Sequence, residues 1–69
     1  MEAFSLVING ESRVFPASMT VSGLVEALDL KGKRVAIERN GEIVPRSRHA
    51  DVQLESGDRL EIVVAVGGG

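Results

Sequence analysis

Apolar residues recur along this chain in two periods, and the switches between those periods lay out its elements. Phe4, Leu6 and Ile8 alternate with Ala3, Ser5 and Val7, which is the pattern of a strand with one well-buried face. Asn9-Gly10 predicts a hairpin turn and Arg13-Val14-Phe15 the returning strand, which Pro16 ends because proline cannot donate to a ladder. From Thr20 the period lengthens. Val21, Leu24, Val25 and Leu28 make one apolar stripe of a short helix of about three turns, with the Thr20 hydroxyl as its N-cap. Met19 and Leu24 are spaced for a hydrophobic staple across the helix start. Gly23 stands where a Glu would complete a capping box, and it costs about 1 kcal/mol relative to Ala. Gly32 is expected to stop the helix, and Glu26 and Asp29 fall on its polar side.

The strongest local signal is Val35-Ala36-Ile37-Glu38-Arg39, Asn40-Gly41, Glu42-Ile43-Val44, a two-residue hairpin of the primed-turn type. With Asn40-Gly41 as the loop, Arg39 pairs with Glu42, Glu38 with Ile43 and Ile37 with Val44. Ile37 and Val44 then face the core, and Ile43 lies on the opposite face beside Glu38. Residues 45–53 read as a polar, irregular loop, and Ser56-Gly57-Asp58 as the turn that launches a last strand. That strand places Leu60, Ile62, Val64 and Val66 on one face and Glu61, Val63 and Ala65 on the other. The outer row thus turns from charged to apolar as the chain approaches Gly67-Gly68-Gly69. Two strands, one helix, two strands and a final strand predict an α+β fold, with one helix to cover one face of the sheet.

Size and composition narrow what such a domain can do. A chain of 69 residues buries only about 60% of the surface its unfolded form exposes. With no cysteine and a single histidine, disulfides are excluded and a zinc site is disfavoured, so packing alone must hold the fold. A net charge of -2 and only two aromatics, Phe4 and Phe15, argue against nucleic-acid binding, which calls for a basic face and stacking platforms. No stretch reads as a signal peptide or a membrane span, and the absence of cysteine is compatible with a reducing cytoplasm. No catalytic set of the Ser/His/Asp or Cys/His kind is available within the chain.

The triglycine ending has two readings, a frayed terminus or a presented carboxylate. Three extended residues reach roughly 10 Å, and without Cβ atoms they can follow a narrow channel in a partner. A phosphate-cradling loop is a poor third, since that motif needs a helix to follow. Ile43, Val63 and Ala65, with Val7 beside them, form a candidate apolar patch on the uncovered sheet face. Such residues are either scattered surface hydrophobics or a docking surface. Arg46, Arg48 and His49 in one loop, and Lys31, Lys33 and Arg34 in another, read as solvated loops or as groups that steer an acidic partner.

The stretches 40–46 and 56–63, together with Ala65-Val66-Gly67-Gly68-Gly69, resemble the ubiquitin-like sulfur carriers, and most closely the thiamine-biosynthesis type called ThiS. The resemblance covers most of the C-terminal half, while the N-terminal half matches in pattern. It implies a β-grasp fold over residues 1–66, a mixed sheet of about five strands wrapped on one main helix with the first and last strands side by side. Residues 67–69 become a flexible tail. The implied protein is a monomeric carrier, not an enzyme. An E1-like adenylating enzyme supplies ATP and Mg²⁺ and joins AMP to the Gly69 carboxylate. Sulfur from a cysteine-desulfurase route displaces AMP, and the resulting thiocarboxylate serves thiazole synthase. Gly68 gives clearance in the enzyme channel and Gly67 gives slack. Gly23 departs from many relatives, which carry an acidic residue there. Two other roles share this chemistry. The small subunit of molybdopterin synthase tends to be longer, often with prolines in its last strand, where Val63-Val64-Ala65-Val66 has none. A ubiquitin-like modifier uses the same adenylate to form isopeptide bonds with other proteins.

Overall fold

The computed structural model describes residues 4–65. Five strands form one sheet in the order β2-β1-β5-β3-β4, with β1 at Phe4–Ile8, β2 at Glu11–Phe15, β3 at Val35–Arg39, β4 at Glu42–Ile43 and β5 at Arg59–Val64. The helix α1, Val21–Ala27, covers one face. β1 and β5 lie side by side and parallel, and the other neighbours are antiparallel. This is the mixed, single-helix sheet of a β-grasp.

Both Asn-Gly pairs turn as their composition requires. Asn9 and Gly10 have φ of 50° and 84°, and Asn40 and Gly41 have 51° and 88°, so both central residues of each loop are left-handed, as a type I′ turn demands. The second hairpin keeps the expected register, Arg39 with Glu42 and Glu38 with Ile43. Val44 lies one residue past β4, yet its N–H still donates to Ile37 O at 2.8 Å and its side chain is buried. β2 begins two residues earlier than the pattern marks, at Glu11, because a two-residue loop carries the ladder straight on to Ile8.

The core is built from alternate residues of the strands and one stripe of the helix: Leu6, Ile8, Ile37, Leu60 and Ile62 against Val21 and Leu24, closed by Val44 and Leu54. Met19, Val25 and Leu28 pack at its margin. Val52 comes from the segment read as a polar loop, and Leu54 directly follows it. That segment holds a short 3-10 turn, Arg46–Arg48, and then runs back over the start of α1.

This return satisfies the helix N-terminus, whose first N–H groups have no partner within the helix. Val21 N–H donates to Val52 O at 3.0 Å and Ser22 N–H to His49 O at 2.9 Å. Gly23 N–H donates to the Thr20 hydroxyl at 3.1 Å and Leu24 N–H to Thr20 O at 3.0 Å. The Thr20 cap is as expected, and the two loop carbonyls complete it. His49 holds the loop in place through a 3.1 Å hydrogen bond between its Nε2 and Val44 O. A Cβ on Gly23 would lie 3.3 Å from Met19 Cβ and 3.6 Å from the Thr20 hydroxyl. The glycine thus gives up helix propensity where a Cβ would be tight against Met19 and in ordinary contact with the Thr20 hydroxyl.

The helix end corrects the sequence reading. α1 has seven residues, not three full turns, and Gly32 does not stop it. The stop is Asp29, with φ of 60°. Its N–H donates to Glu26 O at 3.0 Å, and Leu30 N–H donates to Val25 O at 2.9 Å, the paired bonds of a Schellman motif. Leu30 and Val25, which this motif brings together, both pack on the core. Gly32, with φ of 86°, belongs to the next turn, where Lys33 N–H donates to Leu30 O. A left-handed conformation opposes any residue with a Cβ. Asp29→Gly is therefore expected to stabilise the domain by about 0.5–1 kcal/mol, read as a higher urea midpoint at constant slope.

Candidate functional site

The uncovered face of the sheet carries alternate residues of the same strands that build the core. Across β3 and β5 the register sets Ala36 opposite Val63 and Glu38 opposite Glu61. Ile43 of β4 pairs with Glu38. Val63 is 65% exposed and Ile43 66%, and Ala36 and Ala65 are exposed as well. Val63, Ala65 and Ala36 therefore share one apolar end of the face, towards the C-terminal end of β5. Ile43 stands two strands away, with Glu38 between it and Glu61. Val7 pairs with Arg59, four positions before Val63, and is half-buried. It is not part of the apolar end.

Two residues of this surface escape the sequence reading. Ala36 was legible in principle, since it alternates with Val35 and Ile37. Val14 is 67% exposed, but it pairs with Ser5 at the opposite edge of the sheet and does not extend the patch. The two glutamates on neighbouring strands are like charges directly opposite, an arrangement that weakens a sheet. Ile43 also borders a shallow cavity of about 320 Å³ with Val44, Pro45 and Arg48.

What aims this face is the anchorage of β5. Asn9, beyond its turn role, receives Ile62 N–H on Oδ1 at 2.8 Å and donates from Nδ2 to Ile62 O at 3.1 Å. Asn40 receives Arg59 N–H on Oδ1 at 2.9 Å. The carboxamides of the two hairpin turns thus hold β5 from both sides. Asn40 Nδ2 in turn donates to Asp58 Oδ1 at 3.1 Å, and Asp58 Oδ2 receives Arg39 Nε at 2.8 Å and Glu55 N–H at 2.9 Å. Asp58 is 8% exposed. Burial pushes its carboxyl pKa up, but the Glu55 N–H, Asn40 and the Arg39 guanidinium outweigh burial and hold it below the ordinary value. No sequence signal marks this carboxylate as more than a turn residue.

At its far end, β5 is tied by Ala65 N–H donating to Arg34 O at 2.9 Å. Gly67, Gly68 and Gly69, the expected working tail, lie outside the described residues, as does Val66. Among the described residues no group of three or more His, Cys, Asp and Glu side chains is placed to hold a metal ion. No described helix is long and apolar enough to cross a membrane.

Known proteins similar to this chain in sequence and in fold agree with one another. The ThiS family profile matches residues 6–69. A thiazole synthase of Paramagnetospirillum magneticum is 56% identical over 64 residues, a match covering 93% of this chain and 20% of that protein. The chain thus spans about a fifth of the length of that relative. The sulfur carrier protein ThiS of Bacillus subtilis is 42% identical over 50 residues, covering 72% of this chain and 76% of that one. The crystal structure of the thiamine biosynthesis protein ThiS from Geobacter metallireducens superposes with a TM-score of 0.81 at 29% identity, covering 96% of this chain and 100% of that one. With a family profile that matches residues 6–69, across its β-grasp fold, this chain belongs to the ThiS family.

Proposed function

We propose that the α-carboxyl of Gly69 carries sulfur as a thiocarboxylate and delivers it for thiazole formation in thiamine biosynthesis. The observation that carries this reading is the family match extending through Gly69, directly after a strand anchored by two asparagines and Arg34 O. In this family the small protein is the bearer of the cargo and its partners do the chemistry. A carboxylate resists a sulfur nucleophile, because it is already an anion at neutral pH. An E1-like partner removes that obstacle by joining the carboxylate to the α-phosphorus of Mg²⁺-bound ATP, with pyrophosphate leaving. The terminal sulfur of a persulfide from a cysteine-desulfurase route then attacks the acyl carbon and AMP departs, and a thiol cleaves the resulting acyl disulfide, leaving the thiocarboxylate as the thiol is oxidised to a disulfide. The terminal oxygen is replaced by sulfur, which thiazole synthase accepts. The Paramagnetospirillum relative supports that last partner, since a segment like this chain shares a polypeptide with a thiazole synthase.

In this reading the apolar end of the open face guides the tail. Val63 lies in β5 and Ala65 directly follows that strand, so a partner that grips them fixes where the glycines enter its channel. Val63→Asp is expected to weaken binding to the adenylating enzyme by about tenfold or more, as loss of a buried apolar contact would. Ile43→Asp should have a smaller effect, because Ile43 stands apart from the apolar end. Isothermal titration of the two variants checks this order, and unchanged affinity for Val63→Asp would return the patch to ordinary surface. The function itself is tested by intact mass after incubation with ATP, a sulfur source and the activating enzyme. Replacement of one oxygen by sulfur supports the carrier, while covalent conjugates on other proteins would indicate a modifier.

A further inference from the structure

The two basic segments that look like unrelated loops in the sequence meet in the fold. Lys31 and Lys33, from the turn after α1, and Arg46 and His49, from the loop that caps its N-terminus, line one cavity of about 230 Å³ with Ser22. Val25 and Val35 contribute apolar wall to it. The cavity lies on the helix side of the sheet, beside the segment whose Arg34 O holds Ala65. It is therefore separate from the apolar end of the open face.

Three features make it more than a solvated basic surface. Cations from two sequence-distant segments converge on one concave volume, and like charges gathered there repel one another unless an anion joins them. Among the described residues neither Lys31, Lys33 nor Arg46 takes part in an ion pair; the ion pair that is present, Arg39 with Asp58, lies elsewhere. The rigid parts of the site are fixed independently of any ligand. Ser22 N–H donates to His49 O, and the His49 ring bonds Val44 O, so the loop bearing Arg46 is held against the helix.

We propose that this cavity binds a compact phosphate anion, and specifically a diphosphate group. Its volume falls below the roughly 300–1,000 Å³ of pockets that enclose drug-sized ligands, which suits a charged group better than a whole nucleotide. Two lysines offer mobile point charges, and the arginine offers a planar fork that matches phosphate oxygens. The Ser22 hydroxyl adds a neutral donor.

Amide chemical shifts of the full chain, followed during titration with inorganic pyrophosphate at fixed ionic strength, test the assignment. Saturable shifts are expected at Ser22, Gly32, His49 and Ala50, with a dissociation constant on the order of millimolar. Lys33→Glu and Arg46→Glu should each weaken binding by about tenfold, with the dispersion of the spectrum unchanged. Arg13→Glu, on exposed β2, should leave it as it was. A parallel titration with ADP separates the sources of the group: equal affinity assigns the site to free diphosphate, and tighter binding assigns it to a nucleotide-borne one. Shifts that fail to saturate, that appear equally around Arg13 and Arg59, or that survive both charge reversals would overturn the proposal. So would binding of polyglutamate without binding of pyrophosphate.

Discussion

Removal of Gly68 and Gly69 is expected to abolish thiocarboxylate formation and to leave the fold untouched. The described core closes at Ile62, and the last tie of β5 is made by Ala65, so the deletion takes nothing from either. Unfolding in urea should show the same midpoint and slope as the full chain. The chemistry, in contrast, depends on delivering one carboxyl carbon to bound ATP. Misplacement by about 1 Å already lowers such reactions by around a hundredfold, and a truncation of two residues misplaces the group by several times that. Intact mass after incubation with the activating enzyme, ATP and a sulfur donor reads the outcome directly. A truncated chain that still exchanges oxygen for sulfur would sink the assignment of Gly69, whereas lost stability would show that the tail has a structural role.

The second large effect is expected at Asp58. Asp58→Ala removes an acceptor shared by Arg39, Asn40 and the Glu55 N–H, itself only 8% exposed, and takes all three of those ties away at once. Loss of a buried, charge-assisted network of this kind destabilises by about 2–4 kcal/mol. A domain of this length has about 3–10 kcal/mol in total, so the variant should sit near its unfolding limit. Urea denaturation at neutral pH checks the magnitude. The same carboxylate sets a pH dependence. Its pKa is lower folded than unfolded, so the folded state holds the charged form more firmly. The stabilisation is full above the unfolded value near 3.9 and is lost as pH falls through the lowered folded value. Asp58→Asn should remove that acid-limb dependence while already being weakened at neutral pH, because its amide nitrogen must face one of the three donors. An unaltered acid limb in Asp58→Asn would place the acid sensitivity in other carboxylates.

Asp58 and the asparagines show where sequence reading stops. Asn9 and Asn40 announce themselves as turn formers, and the turns form as their composition dictates. That each carboxamide also reaches β5 depends on which strand lies alongside, and no local pattern encodes that. The apolar patch follows the same division. Alternation along β5 put Val63 and Ala65 on the open face. Only the register between strands, Val63 with Ala36 and Ile43 with Glu38, separated Ile43 from them and removed Val7. The sequence points to Gly32 as the helix stop because glycine is the usual left-handed residue. Asp29 took that conformation instead, held by Leu30 packing back on the core.

By itself the sequence determined the strands, the two primed hairpins, the Thr20 cap and the glycine ending, since each rests on the stereochemistry of a few adjacent residues. The tertiary structure decided what contacts between distant segments alone can decide. It set β1 beside β5, sent the carbonyls of Val52 and His49 to the helix N-terminus, buried Asp58 among three donors and gathered Lys31, Lys33 and Arg46 around one cavity. Local propensity acts over a turn or a hairpin. Burial and charge are properties of neighbours in space, and in this chain those neighbours lie as many as 53 residues apart.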